Sequence, residues 1–474
     1  MSILPLLPLL PLLASAPTPL TVVEYASTPN GFTTPPRGFN SFGLQVNTGA
    51  QPSFAFNQSS ILTQARALVA NTPASLLSSG DYYISLDSGW SVGCNGDEYG
   101  RIIDDTTKFN ISDLASTLHG MGLKLGVYVV PGIFSGDGDK TIEGTDISIK
   151  DTWGGHDNGL CRTDFDYGKE GVQQWHDSVV GLFADWGVDL IKLDYVTPGS
   201  PSPGGATLQP NTSGSVIAFH NAIEKVGRPI RLNISWKLER NASFFDIWEA
   251  NADSMRTDQD LNAQGGDKLV DWPTTQRAIE NYRQFISTVI QDDHLPLTIH
   301  PDLDNAFIGN AENVTSVSDA MRTTIATHWL ASGANLISGS DFTNLDDLGK
   351  KLLTLPEAWV DVANFTARYP MQARNPGTGQ NSSQQLQAWI AGPDESGDAV
   401  VVLVNYGPDQ GQGGFNTSLE GTQNVTATWA DLGITGSYDV RNVWESEDLG
   451  TFDGQISAQL DEGESQLLRF QRSS

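Results

Sequence analysis

Leu190-Ile191-Lys192-Leu193-Asp194-Tyr195 is an apolar run that ends abruptly in a carboxylate beside an aromatic ring. Such a run reads as a buried parallel strand, and the carboxyl ends of barrel strands are where barrels of this kind present their chemistry. Asp194 is therefore the first candidate for a catalytic residue. An aspartate in this position can also do no more than cap the following helix. The stretches on either side decide between the two readings, because the same pattern recurs there.

Upstream, Tyr82-Tyr83-Ile84-Ser85-Leu86-Asp87 reads as a strand, residues 111–121 as an amphipathic helix, and Leu123-Lys124-Leu125-Gly126-Val127-Tyr128-Val129-Val130 as the next strand. Residues 171–186 are helical in pattern and lead into the run that ends at Asp194. Downstream, a helix over 320–332 followed by Ala334-Asn335-Leu336-Ile337-Ser338-Gly339 fits a late unit of the same series. Repeated strand-helix units predict a parallel sheet, and this many of them predict a closed (β/α)8 TIM barrel. Past residue 372 the pattern changes, with Pro376, Gly377, Gly379, Asn381, Ser382 and Ser383 forming a turn-rich break. Short strands such as Ala399-Val400-Val401-Val402-Leu403-Val404-Asn405-Tyr406 and Gln466-Leu467-Leu468-Arg469-Phe470 follow, and predict a C-terminal antiparallel β-sandwich. The division is a signal peptide over 1–16, a catalytic barrel over 17–372 and a sandwich over 373–474. The sandwich carries no catalytic cluster and reads as a packing module.

The 474 residues hold 27 Lys and Arg against 56 Asp and Glu, a formal charge of −29. That balance repels phosphate backbones and anionic lipid alike, so the expected partner is a neutral molecule, with no nucleic acid and no membrane. The opening residues 1–13 are apolar but too short to span a bilayer, and Ala14-Ser15-Ala16 supplies small residues suited to signal-peptidase cleavage. N-x-S/T sequons at Asn57, Asn110, Asn211, Asn233, Asn241, Asn313, Asn364, Asn381, Asn416 and Asn424 suit passage through the secretory pathway. A secreted, extracellular glycoprotein is the expectation. The two cysteines, Cys94 and Cys161, fall in Gly-rich loops after strands, where one disulfide could join them. A metal site needs more ligands than these loops offer, and the seven histidines show no H-x-H or H-E-x-x-H spacing. His300 therefore reads as structural, and neither metal nor cofactor is expected.

Four strand ends or following loops present polar groups: Asp87 in Leu86-Asp87-Ser88-Gly89-Trp90, the pair Lys192 and Asp194, Arg256-Thr257-Asp258-Gln259-Asp260, and Asp302-Leu303-Asp304-Asn305. A closed barrel brings them to one face. A carboxylate-lined pocket bordered by Trp90, Trp236 and other aromatics suits a sugar, whose hydroxyls need acceptors and whose ring faces need apolar surface. Retaining glycoside hydrolysis uses two such carboxylates about 5 to 5.5 Å apart, one as nucleophile and one as acid.

Six motifs, in order, carry a family resemblance from Pro36 to the C-terminus. Gly38-Phe39-Asn40-Ser41-Phe42 resembles "GWNSW", Tyr83-Ile84-Ser85-Leu86-Asp87-Ser88-Gly89-Trp90 resembles "YINIDDGW", and Gly122-Leu123-Lys124-Leu125-Gly126-Val127-Tyr128 resembles "GLKLGIY". Ile191-Lys192-Leu193-Asp194-Tyr195 resembles "LKYDYC", Arg256 with Asp260 reproduces R-x-x-x-D, and residues 302–310 resemble "DPDMLVIGN". These are the motifs of glycoside hydrolase family 27, which holds α-galactosidases and α-N-acetylgalactosaminidases.

The resemblance implies Asp194 as nucleophile and Asp260 as general acid/base, with Asp258 the competitor for the second role. It implies that Phe42, Asp87, Ser88, Tyr128, Lys192, Ser235, Trp236, Arg256 and Asp304 line the sugar site, with Lys192 also holding positive charge beside Asp194. The chain departs from the pattern at Ser88, where the family has a second aspartate to clamp the O4 and O6 hydroxyls of galactose. A serine lacks the charge-assisted strength of that carboxylate. Ser235 stands where relatives carry an acidic residue, Phe42 and Met255 replace tryptophans, and most family cysteines are absent. An α-galactosidase is the leading expectation. A relative taking β-L-arabinopyranose or an isomalto-dextran, and an inactive sugar-binding barrel, are the alternatives.

Overall fold

The computed structural model describes residues 18–202, 206–262 and 265–473. The predicted signal peptide lies outside them. Eight parallel strands form one sheet: β1 (Arg37–Asn40), β2 (Tyr82–Ser85), β3 (Lys124–Val129), β4 (Val188–Leu193), β5 (Arg231–Ile234), β6 (Ser254–Arg256), β7 (His300–Asp302) and β8 (Leu336–Ser338). Neighbours along the sheet follow chain order from β1 to β7, and β8 pairs back onto β1. The circle closes where Ala306, just past β7, bridges Ser338 in parallel and the Asn335 N–H donates to the Pro301 carbonyl at 3.0 Å. Helices follow the strands around the outside, among them Gln58–Asn71, Ile111–Gly120, Val172–Trp186, Ser213–Val226 and Trp272–Gln291. The barrel read from the sequence is present.

The pleat decides what points inward. Along β4, Ile191 and Leu193 are fully buried in the core between sheet and helices, whereas Leu190 and Lys192 line the barrel's internal cavity. Alternation therefore delivers Lys192 to the interior and carries the same side onward to Asp194. Register places Tyr128 beside Lys192 and Lys192 beside Asn233, with Asp302 beside Arg256. Asn233 belongs to a predicted sequon, yet it is only 8% exposed and its Nδ2 donates to Asp302 Oδ2 at 2.8 Å. A glycan cannot be carried there in the folded protein.

A three-stranded antiparallel sheet of Ile133–Phe134, Trp153–Asp157 and Arg162–Phe165 interrupts the chain between β3 and the next helix. The sequence pattern did not announce it. Cys161, at the start of its last strand, is disulfide-bonded to Cys94 in the loop after β2, joining positions 67 residues apart.

The C-terminal region is antiparallel, as expected. Its larger sheet runs Gln372–Ala373, Leu386–Ala391, Ala399–Asn405, Glu464–Arg472, Ser437–Asn442 and Glu447–Asp453, and a second sheet pairs Gln423–Thr428 with Gln455–Leu460. Every residue of Ala399–Asn405 is buried, and its two faces serve two cores. Val400, Val402 and Val404 join the barrel's core, while Ala399, Val401 and Leu403 join the sandwich's own. This explains an unbroken apolar run where a one-sided sheet would alternate. Polar contacts reinforce the seam: the Tyr406 hydroxyl meets His328 Nε2 at 2.8 Å, and Thr324 Oγ1 donates to the Gly463 carbonyl at 2.7 Å.

Candidate active site

The sequence places a carboxylate after β4, and the structure surrounds it with donors. Asp194 Oδ1 accepts from Ser235 Oγ at 2.6 Å and from the Tyr195 N–H at 2.9 Å, and the Tyr128 hydroxyl also hydrogen-bonds this carboxylate. Burial and the adjacent Asp194 and Asp87 raise the Tyr128 phenol's pKa well above its ordinary value, so it stays protonated and donates. Ser235 is buried and its hydroxyl is spent on Asp194. Its observed contact is thus with a carboxylate that the sequence also singles out.

Beside Asp194 stands a buried ion pair. Lys192 Nζ lies 2.7 Å from Asp87 Oδ2, and Asp87 is further fixed by Asn40 Nδ2 at 3.3 Å, by the Ser88 N–H at 2.8 Å and through its own N–H to Ser41 Oγ at 2.9 Å. Burial works against the Lys192 charge, but Asp87 and Asp194 outweigh it and raise its pKa, so the ammonium persists. The rings of Phe42 and Tyr128 flank that ammonium at 5.8 Å and 5.6 Å. Ser88 is half-buried, and the bonds recorded for it run through its backbone, to Asp87 and to Gln45.

The third group is built on Arg256, at the end of β6. Its Nη2 lies 3.1 Å from Asp260 Oδ1 and 3.3 Å from Asp304 Oδ2. Asp304 sits at φ 76°, a left-handed conformation uncommon for a residue with a side chain, and is fixed there by its N–H to Asp302 Oδ1 at 2.9 Å and by the Leu261 N–H at 2.8 Å. Burial, Asp304 and Asp194 together outweigh the attraction of Arg256 and raise Asp260 to about 6. Asp258 has a different environment. Its side chain is fully buried, paired with Arg277 at 2.7 Å and bonded by Asn281 Nδ2 at 3.0 Å, which leaves it no free face toward Asp194.

The predicted site residues thus gather into one polar cluster. One expectation needs correction. Trp90 does not border the pocket: it is 0% exposed, packs against Phe183 in the core, and donates its Nε1 hydrogen to the Tyr128 carbonyl at 2.7 Å. Its role is to hold β3 in place. Trp236 is half-buried and lies edge-on to Tyr195 with ring centroids 5.4 Å apart. Residue-by-residue reading missed Asn40 and Ser41, which orient Asp87, and the phenol of Tyr195, which has no hydrogen-bond partner among the described residues. Asn40 and Ser41 lie inside the "GWNSW"-like motif, so the signal was there. His300, by contrast, is buried with Nδ1 against the Gly333 carbonyl and its pKa is pushed down by burial to about 3, a structural residue as read. Among the described residues no helix is long and apolar enough to cross a membrane.

Comparison with known proteins agrees with this fold. Residues 383–470 match the alpha galactosidase C-terminal beta sandwich domain. The chain is 49% identical over 465 residues to alpha-galactosidase 3 of Hypocrea jecorina, covering 96% of this chain and 73% of that one. In structure it resembles a family 27 β-L-arabinopyranosidase from Geobacillus stearothermophilus (TM-score 0.74, 21% identity, 93% and 97% of the two chains). It also resembles the α-galactosidase of Saccharomyces cerevisiae (TM-score 0.64, 15% identity, 94% and 100%). A polar cluster at the carboxyl ends of barrel strands, a sandwich that matches the family's own C-terminal domain and a relative alike over nearly the whole chain place this protein in glycoside hydrolase family 27.

Proposed function

We propose that the chain is a retaining exo-glycosidase that removes terminal α-D-galactosyl residues from neutral oligosaccharides by double displacement. The observation that carries the proposal is the contrast between two carboxylates that feel each other's charge: Asp194 accepts hydrogen bonds from several donors, while Asp260 keeps its proton up to about pH 6. In this reading Asp194 attacks the anomeric carbon as Asp260 gives its proton to the departing glycosidic oxygen. Asp260, now ionised, takes a proton from water, and that oxygen displaces Asp194 to release the sugar with its configuration retained. Asp87, Lys192, Tyr128, Arg256 and Asp304 would hold the glycone's hydroxyls, Phe42, Ser88 and Ser235 would complete its walls, and Trp236 would stand at its edge toward the leaving group. The reading includes export, supported by the apolar opening and its small-residue cleavage site.

A second glycone is favoured by one observation. Ser88 offers a neutral hydroxyl where the family pattern has a second carboxylate for O4 and O6. β-L-Arabinopyranose is α-D-galactopyranose without its C6 group, so a weaker clamp at that point costs it less. Hydrolysis of nitrophenyl α-galactoside, α-N-acetylgalactosaminide, α-glucoside and β-L-arabinopyranoside, with Asp194→Asn as blank, tests both readings. Galactoside preference abolished in the variant supports the first, and arabinopyranoside preference the second. Full activity in Asp194→Asn would overturn the mechanism.

A further inference from the structure

We propose that Tyr195, packed against Trp236, forms the wall that holds the leaving-group sugar, with its hydroxyl presented to that sugar. This rests on the reading of Asp194 and Asp260 as the reacting pair and extends it to the far side of the scissile bond. Three observations converge on Tyr195.

Its backbone comes first. Tyr195 follows Asp194 directly and has φ 56°, a left-handed conformation that side chains seldom adopt. In this conformation its N–H reaches back to Asp194 Oδ1 at 2.9 Å, while its ring meets Trp236 at an interplanar angle of 68°. An unusual backbone angle beside a candidate nucleophile is an observation from which a functional role can be argued.

The second is position. Burial, then Asp194, then Asp260 disfavour ionisation of the Tyr195 phenol, so it is neutral and within electrostatic reach of both carboxylates. Asp260 delivers its proton to the glycosidic oxygen, which puts the leaving ring on the Asp260 side of the breaking bond.

The third is an open valence. Several phenols of the barrel are committed: Tyr83 accepts from Arg231 Nε at 2.9 Å, Tyr282 donates to the Met371 carbonyl at 2.6 Å, and Tyr128 bonds Asp194. Among the described residues the Tyr195 hydroxyl has no such partner. Trp236, edge-on to it, is held through its backbone N–H, which donates to Ser200 Oγ at 2.9 Å. An aromatic pair in contact, with a phenol hydroxyl that has no partner among the described residues, offers a pyranose both apolar surface and a hydrogen bond.

The test compares Tyr195→Ala and Tyr195→Phe with wild type on two donors of the same glycone: α-galactosyl fluoride, which has no leaving sugar, and an α-galactosyl disaccharide. The expected result is a fall in kcat/KM on the disaccharide of about tenfold or more for alanine and severalfold for phenylalanine, with the fluoride within about twofold of wild type. Equal losses on both donors would show that Tyr195 only supports Asp194, and no loss on either would show that it touches nothing; both overturn the proposal. Wild-type protein inactive on both donors would instead overturn the galactosidase reading, and that control keeps the two failures apart.

Discussion

Asp260 and Asp304 share one nitrogen of Arg256, at 3.1 Å and 3.3 Å. A single guanidinium nitrogen divided between two carboxylates does not fully offset the burial of Asp260. With Asp194 adding further negative charge, the proton stays on Asp260 to about pH 6, as an acid catalyst working in mildly acidic solution requires. The nearby Asp304 is part of the tuning as well as of the pocket.

The first prediction follows from that tuning. On an oligosaccharide, kcat/KM is expected to hold up to about pH 6 and decline above it, as Asp260 loses the proton that the proposed mechanism has it donate. Asp304→Asn removes one of the charges that keep the proton in place, so the alkaline limb moves to lower pH whatever happens to the height of the curve. A pH-rate profile of both proteins measures this, and an unmoved limb would remove Asp304 from the account.

The same group sets a stability dependence. Its folded pKa of about 6 lies above the ordinary 3.8, so the stability it contributes is fully present below 3.8 and is lost as pH rises through 6. Above pH 7 the ionised carboxylate costs the fold on the order of 1 kcal/mol or more. Asp260→Asn is therefore expected to melt higher than wild type at pH 7.5, with the difference shrinking toward pH 4. Thermal denaturation across that range checks it; an advantage that grows on acidification would contradict the assignment.

Asp258 is expected to behave in the opposite way. Its fully buried carboxylate is the partner of Arg277, itself only 21% exposed, and removing one member of such a pair leaves the other uncompensated. Asp258→Asn should lower stability by about 1–3 kcal/mol while leaving the alkaline limb of the remaining activity in place. A shifted limb with unchanged melting would return Asp258 to the candidates for the acid.

What the sequence made legible was what repeats or alternates. Ile191 and Leu193 against Lys192 and Asp194 is a period-two statement, and it was enough to place a carboxylate at the mouth of a barrel. The paired faces of Ala399–Asn405 were only half legible: the strand is plain in the sequence, but its burial on both sides depends on the barrel helices that cover it. Trp90 misled because an aromatic beside a carboxylate motif looks the same whether it faces a ligand or the core, and only packing against Phe183 decides. The sheet over 133–165 escaped because its strands are short and divided by Gly, Ser and Asp. The hold of Asn40 and Ser41 on Asp87 joins groups more than 40 residues apart, a distance over which local pattern says nothing.

That inserted sheet carries the last prediction. Cys94 and Cys161 close a loop of 67 residues between the segment after β2 and the sheet's last strand. By chain entropy such closure contributes about 4 kcal/mol. The Cys94→Ser, Cys161→Ser double variant is therefore expected to melt lower and to be cut by protease within 133–165 sooner than wild type. Asp87, Lys192, Asp194 and Arg256 stand at or just past the ends of barrel strands and take their contacts from groups at other strand ends and the loops that follow them, not from the inserted sheet, so kcat/KM on a nitrophenyl glycoside at 25 °C should stay within a fewfold of wild type. If activity instead collapses while the melting temperature holds, the inserted sheet itself shapes the sugar site, and the strand ends are not sufficient to build it.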